Sequence, residues 1–153
     1  MPDEAGAREW HAWSVWKTEI LLGGYLPKFT NASQGAQHRV FIDCFAGTTR
    51  NIESTTQREF PGSPRMALAV QPHFTHVLLF ELPDKAAPLE ASLKEEFPGR
   101  EIRVLGEDCN LAIAKGLQWL CDQGTPTSGP HLGPTLAYLD PNALELNWST
   151  VET

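Results

Sequence analysis

The chain has 153 residues, of which 41% are hydrophobic, enough for one domain around a single core. Its net charge of -7 argues against a surface that binds nucleic acid by charge alone, because phosphate is met mostly by Lys and Arg. No apolar run approaches the ~20 residues needed to span a bilayer. The start MPDEAGAREW also lacks the basic-then-apolar pattern of a signal peptide, so the expectation is a cytoplasmic protein with no membrane partner.

The elements divide into an N-terminal helix and linker over residues 1–38 and an alternating unit over 39–153. Trp10, Trp13, Trp16, Ile20, Leu21 and Tyr25 recur at helical spacing and predict an amphipathic helix from Trp10 to Leu26, its last turn weakened by Gly23 and Gly24. The tryptophan stripe reads as a packing face. Val40 to Phe45 is a β-prone run with no polar residue before Asp43, as expected of a strand buried on both faces. Gly62-Ser63-Pro64 predicts a helix start, with Ser63 as N-cap and Pro64 in the first helical position. His76 to Glu81 is a second buried strand. From Asp84 a helix follows with Leu89, Leu93 and Phe97 on one face, and Pro88 belongs in its first turn or at its start.

Glu101 to Leu105 is a third strand, and Asn110 is the expected cap of a helix carrying Leu111, Ile113, Leu117 and Leu120. Gly124 to Pro134 reads as a surface loop. Thr135 to Leu139 makes a fourth strand, and Ser149 to Glu152 spells a capping box. Strands alternating with helices imply an α/β fold with a parallel sheet, in which ligands bind outside the carboxyl ends of the strands.

Those ends are acidic: Asp43, Glu81, the pair Glu107 and Asp108, then Asp140. One such residue is more often a solvated strand end or a helix cap; four in register point to a ligand. A carboxylate ending the second strand can accept hydrogen bonds from both hydroxyls of a ribose, which assigns Glu81. The Ala46-Gly47 turn lets backbone approach a ligand closely. Asp108, with Cys109 and Asn110, is positioned for an adenine edge. Phe45-Ala46-Gly47-Thr48-Thr49 has one glycine where a dinucleotide fingerprint has three, which disfavours a nicotinamide enzyme.

The segment VFIDCFAGTTRN resembles methyltransferase motif I. Together with Trp16-Lys17, GSPRMAL, LLFEL, GEDCN and YLDPNALELNW, it resembles the three-Cys-motif partner protein (TcmP) family, from about Trp10 to the last residue. The resemblance implies a Rossmann-like, class I methyltransferase sheet that binds S-adenosylmethionine, with about four of the usual seven strands present. Carried over residue by residue, it implies motif I contacts at Asp43, Phe45, Ala46 and Gly47, ribose at Glu81, adenine at Asp108, and a motif IV pair, Asp140 and Pro141, at the transfer site. It also implies a separate protein bearing three cysteines as partner. The three cysteines here, Cys44, Cys109 and Cys121, lack that arrangement and any CxxC pair, and neither a disulfide framework nor a metal site is expected.

Two departures stand out. Thr48 and Thr49 replace the family's usual proline and second glycine, and a β-branched residue resists positive φ, so the loop must take another path or the site has decayed. No aromatic follows Asp140-Pro141-Asn142-Ala143 to stack on a nucleobase. The readings carried forward are a methyltransferase-like protein that binds S-adenosylmethionine, a truncated or degenerate module that acts through a partner without chemistry, and a domain for another adenosine ligand. Lys17 reads equally as a surface lysine or as a contact for the ligand's carboxylate. Arg50, Arg58 and Arg65 read as solvated, and Cys44 as a small buried thiol.

Overall fold

The computed structural model describes residues 8–124, 133–141 and 146–153. In chain order its elements are β1 (Arg8–Trp10), α1 (Ala12–Lys17), a π-helical turn (Thr18–Leu22), α2 (Gly23–Ala32), β2 (Val40–Asp43), β3 (Arg50–Glu53), β4 (Glu59–Pro61), α3 (Ser63–Ala69), β5 (His76–Phe80), α4 (Pro83–Glu96), β6 (Glu101–Leu105), α5 (Cys109–Asp122), β7 (Thr135–Tyr138) and α6 (Trp148–Glu152). The four expected strands form one parallel sheet of order β6-β5-β2-β7. This is the 3-2-1-4 half of a doubly wound sheet, and its order reverses between β2 and β7.

Alternation along the strands supplies the two cores. Phe41, Val77, Leu79, Ile102 and Val104 face α2, α3 and α4, burying Leu26, Leu68, Leu89 and Leu93. Val40, Ile42, Leu78 and Phe80 face the other way, onto Cys109, Ala112 and Leu120 of α5. A parallel sheet covered on both sides requires such apolar strands.

The N-terminal helical stretch differs from expectation. It continues through Gly23 and Gly24 to Ala32, because Leu22 and Leu26 enter the core and Phe29 stacks on Phe74 with ring centres 5.8 Å apart. Tertiary packing outweighs the roughly 1 kcal/mol that each glycine costs a helix. The buried stripe is Val15, Leu22, Leu26 and Thr30, so Trp13 and Trp16 project outward at 70% and 59% exposure, with Ile20 and Tyr25 also exposed. The π-helical turn shifts the helical phase between the tryptophans and the core. Trp13 and Trp16, read as packing, are therefore solvent-facing.

Four helix starts are also corrected. The N-cap of α3 is Gly62, and Ser63 turns its hydroxyl to another partner. Pro83 takes the start of α4, leaving Pro88 inside the helix, one turn further on than expected. Asp108, not Asn110, caps α5 by accepting the Asn110 N–H. The Asn110 side chain instead accepts from Asn147 N–H and the Thr150 hydroxyl, seating α6, whose N-cap is Asn147 rather than Ser149.

A second, three-stranded sheet of order β1-β3-β4 was not anticipated. The β3–β4 hairpin is inserted between β2 and α3, and β1 runs parallel to β3. Most of the expected loop from Gly124 to Pro134 lies outside the described residues. Among the described residues, no helix is long and apolar enough to cross a membrane.

Candidate ligand-binding cleft

A cleft opens at the carboxyl ends of β2 and β7, where the strand order reverses. Its walls include Phe45, Ala46, Gly47 and Thr48 after β2, Ser63 at the head of α3, Tyr138 at the end of β7 with Asp140 after it, and Ser14 and Lys17 from α1. A doubly wound sheet offers a ligand crevice at this switch point, because adjacent loops diverge to opposite faces.

Asp43 ends β2 on the same face as Phe41 and is fully buried beneath α3. Its carboxylate accepts from Phe45 N–H at 2.9 Å and from the Ser63 hydroxyl at 2.5 Å. Burial pushes its pKa up to about 7; the two hydrogen bonds oppose that rise, and the nearby carboxylates of Asp140 and Glu81 add to it. Three of the four acidic strand ends thus lie close enough to influence one another.

Gly47 has a φ of +64°, a conformation glycine adopts without strain. Its N–H donates to Glu81 Oε2 at 2.5 Å, while Glu81 Oε1 accepts Leu82 N–H at 2.9 Å. The carboxylate expected at ribose therefore sits directly beside the motif I glycine, tying the end of β5 to the turn after β2. Among the described residues, the one non-glycine with positive φ is Gln57, so Thr49 is not forced there. Its carbonyl accepts Gly62 N–H at 2.9 Å, and the Thr48 hydroxyl donates to the Arg50 carbonyl at 2.8 Å. The loop leads into β3 instead of making a second glycine turn, which is how the two threonines are accommodated.

Asp140 is held on both oxygens, with Lys17 Nζ at 2.6 Å from Oδ1 and the Tyr138 hydroxyl at 3.1 Å from Oδ2. Burial and the adjacent carboxylate push the Tyr138 phenol pKa up. Pro141 follows, half-buried, and Asn142 and Ala143 lie outside the described residues.

Asp108 stands apart: its side chain caps α5 by bonding the Asn110 backbone and amide, the plainer of its two roles. Arg50, Arg58 and Arg65 pair with Glu59, Glu19 and Glu96. Cys44 and Cys109 are buried free thiols, and burial raises both pKa values; Cys109 adds to the rise at Cys44, while the bond with Cys44 opposes that at Cys109, and the net rise disfavours nucleophilic thiolate.

Two cleft residues, Ser63 and Tyr138, were not picked out in the sequence. A capping serine and a strand tyrosine look the same whether or not they meet an acid, and twenty residues separate Ser63 from Asp43. The one available signal was alternation, which places Asp43 on the face that α3 covers.

The fold and the cleft define a Rossmann-like α/β unit with a polar crevice at its switch point. Comparison with protein-family models, curated proteins and solved structures returns no match.

Proposed function

We propose that the chain is an S-adenosylmethionine-binding, methyltransferase-like protein, with Gly47 at the methionine end, Glu81 on the ribose, Asp108 toward adenine, and Asp140 with Pro141 beside the place of transfer. The observation that carries this reading is a switch-point cleft of a 3-2-1-4 sheet lined by Gly47 and Asp140, with Glu81 bonded to the Gly47 N–H beside it and Asp43 buried beneath it. The residues present fit such a ligand: Gly47 leaves no Cβ to obstruct close approach to the turn, and the Glu81 carboxylate, bonded to the Gly47 N–H, sits beside that turn.

When bound, S-adenosylmethionine supplies an electrophilic methyl group. The chain's share is then to hold both hydroxyls of the ribose with Glu81, to keep the turn at Gly47 open, and to align an acceptor beside Asp140. Positioning alone supplies much of the rate in a transfer that needs alignment of three atoms, and an unprotonated amine acceptor needs no dedicated base.

Isothermal titration with S-adenosylmethionine and S-adenosylhomocysteine tests the reading. The parent chain is expected to bind both, and Glu81→Ala to bind each roughly 10- to 100-fold more weakly, the range for losing hydrogen bonds to a charged group. No binding by the parent would remove the assignment.

A second reading, a module that acts through a partner protein without chemistry, is favoured by one observation: Trp13, Trp16, Ile20 and Tyr25 stand exposed along the N-terminal helical stretch. Methyl transfer by the purified chain to any acceptor would exclude it.

A further inference from the structure

Four large apolar side chains stand in water along the N-terminal helical stretch: Trp13, Trp16, Ile20 at 66% exposure and Tyr25 at 61%. One exposed apolar side chain is ordinary on a folded chain, but a contiguous group marks a contact surface. An aromatic side chain offers about 150–250 Å² of contact area, so the exposed parts of the three rings alone come to roughly 300–450 Å². That is on the order of half of the ~800 Å² that each partner contributes to a stable interface, before Ile20 and the neighbouring glycines are counted.

The arrangement of the group says what covers it. Trp16, Ile20, Gly24 and Lys28 recur at four-residue steps. Such a step overshoots the roughly 3.6-residue turn of an α-helix and undershoots a wider one, so the π-helical turn at Thr18–Leu22 keeps them nearly in line. Trp13 lies beside Trp16, one turn earlier. The strip is bulky in its first half and bare in its second, where a Cβ on Gly24 would have nothing within 4 Å. It ends in a cation, Lys28, whose ammonium lies 5.9 Å from the Tyr25 ring centre. No carboxylate lies in the strip, although the chain carries a net charge of -7.

We infer that this strip is the twofold interface of a homodimer, in which the N-terminal helical stretches of two copies pack antiparallel with Ile20 meeting Ile20. Antiparallel pairing about Ile20 brings Trp16 of each copy onto Gly24 of the other, where no side chain obstructs the indole. It also brings Trp13 toward Lys28 of the other copy, whose ammonium can sit over an indole as it does near Tyr25. Large meets small and cation meets ring at both ends, the self-complementarity that a twofold interface requires of a single surface. A strip bulky throughout would clash with its own copy, and one small throughout would bury too little apolar area. The inference goes beyond the cofactor reading and does not depend on it.

The test is sedimentation equilibrium of the full chain between about 1 and 100 µM, which brackets a micromolar Kd. The parent is expected to be a dimer in the upper part of this range. Ile20→Glu and Ile20→Lys each place two like charges at the twofold axis and are each expected to raise the dissociation constant at least ~10-fold. An equimolar mixture of the two variants is expected to associate again as a heterodimer, which happens only if residue 20 of one copy meets residue 20 of the other. Gly24→Leu adds a side chain to open space within a helix, so the fold is expected to hold or gain stability while the dimer weakens by ~10-fold or more. Circular dichroism of each variant confirms the fold, and recovery on mixing shows that neither Ile20 variant is misfolded. A parent that stays monomeric throughout, a dimer that both Ile20 variants retain, or variants that fail to associate on mixing would overturn the inference.

Discussion

Asp43 lies on the sheet face that carries Phe41, so the fold that buries Phe41 also takes a carboxyl group out of water. Its pKa is raised from 3.8 to about 7, mainly by burial. The sign of the consequence follows from proton counting. Between these two values the folded chain holds a proton that the unfolded chain has released, so stability declines with rising pH at about 1.4 kcal/mol per unit and levels off above pH 7. The contribution is fully present below about pH 3.8 and lost through about pH 7. Asp43→Asn removes this titration. Subtracting its urea-denaturation stability from that of the parent should give a difference that varies across this window and is flat above it; a constant difference would show that the buried proton is not held. Ser63→Ala removes a hydrogen bond that opposes the rise, and should extend the upper limit of the window to higher pH while leaving its lower limit unchanged. Asp43 itself was legible as a strand-end acid. Its burial and its bond to Ser63 were not, because both depend on where α3 lands.

At the scale of elements, long apolar or strongly alternating segments declared themselves, and short or two-sided ones did not. The strands β2, β5, β6 and β7 were readable because each is bounded by turn residues and followed by a polar group. The hairpin of β3 and β4 was missed: Arg50-Asn51-Ile52-Glu53 buries Asn51 and Glu53, polar side chains that no hydrophobic pattern marks. Helix ends were misplaced by one or two residues wherever a capping side chain found a better partner, as Ser63 did in Asp43. Glycines show where elements press together. A Cβ on Gly116 of α5 would lie 2.7 Å from Leu78 Cδ2 and 2.9 Å from Phe80 Cζ, whereas one on Gly62 would lie 1.9 Å from the Thr48 carbonyl oxygen. Gly116→Ala adds about 1 kcal/mol of helix propensity against about 1–3 kcal/mol of overpacking, so a small net loss is expected. Gly62→Ala meets rigid backbone that cannot turn aside, and should cost more and disturb the motif I loop. Urea denaturation of the two variants orders them; a larger loss for Gly116→Ala would contradict this account of the loop.

For the whole molecule, alternation of strands and helices implies a parallel sheet but not which strand lies beside which. The order β6-β5-β2-β7 is fixed by how the crossovers fall on the two faces, and it decides that β2 and β7 flank the crevice while β6 lies at the edge. An edge strand exposes backbone N–H groups that invite pairing with another chain. Here α4 meets the problem: Glu90 Oε2 accepts the outward Val104 N–H at 2.7 Å, and Oε1 is bound by Lys94 at 2.6 Å. Burial alone would raise the Glu90 pKa, but the Lys94 ammonium and the Val104 N–H outweigh it and hold the carboxyl below its usual range. Glu90 therefore stays ionised and keeps the edge closed near neutral pH. Glu90→Ala leaves a largely buried N–H without its acceptor, a loss of about 1–3 kcal/mol, and frees β6 to pair. Sedimentation of the variant should show more concentration-dependent association than the parent. Glu90→Gln, which retains an acceptor for Val104, should associate less than Glu90→Ala; equal behaviour of the two would mean that negative charge at the edge, not the bond to Val104, is what keeps chains apart.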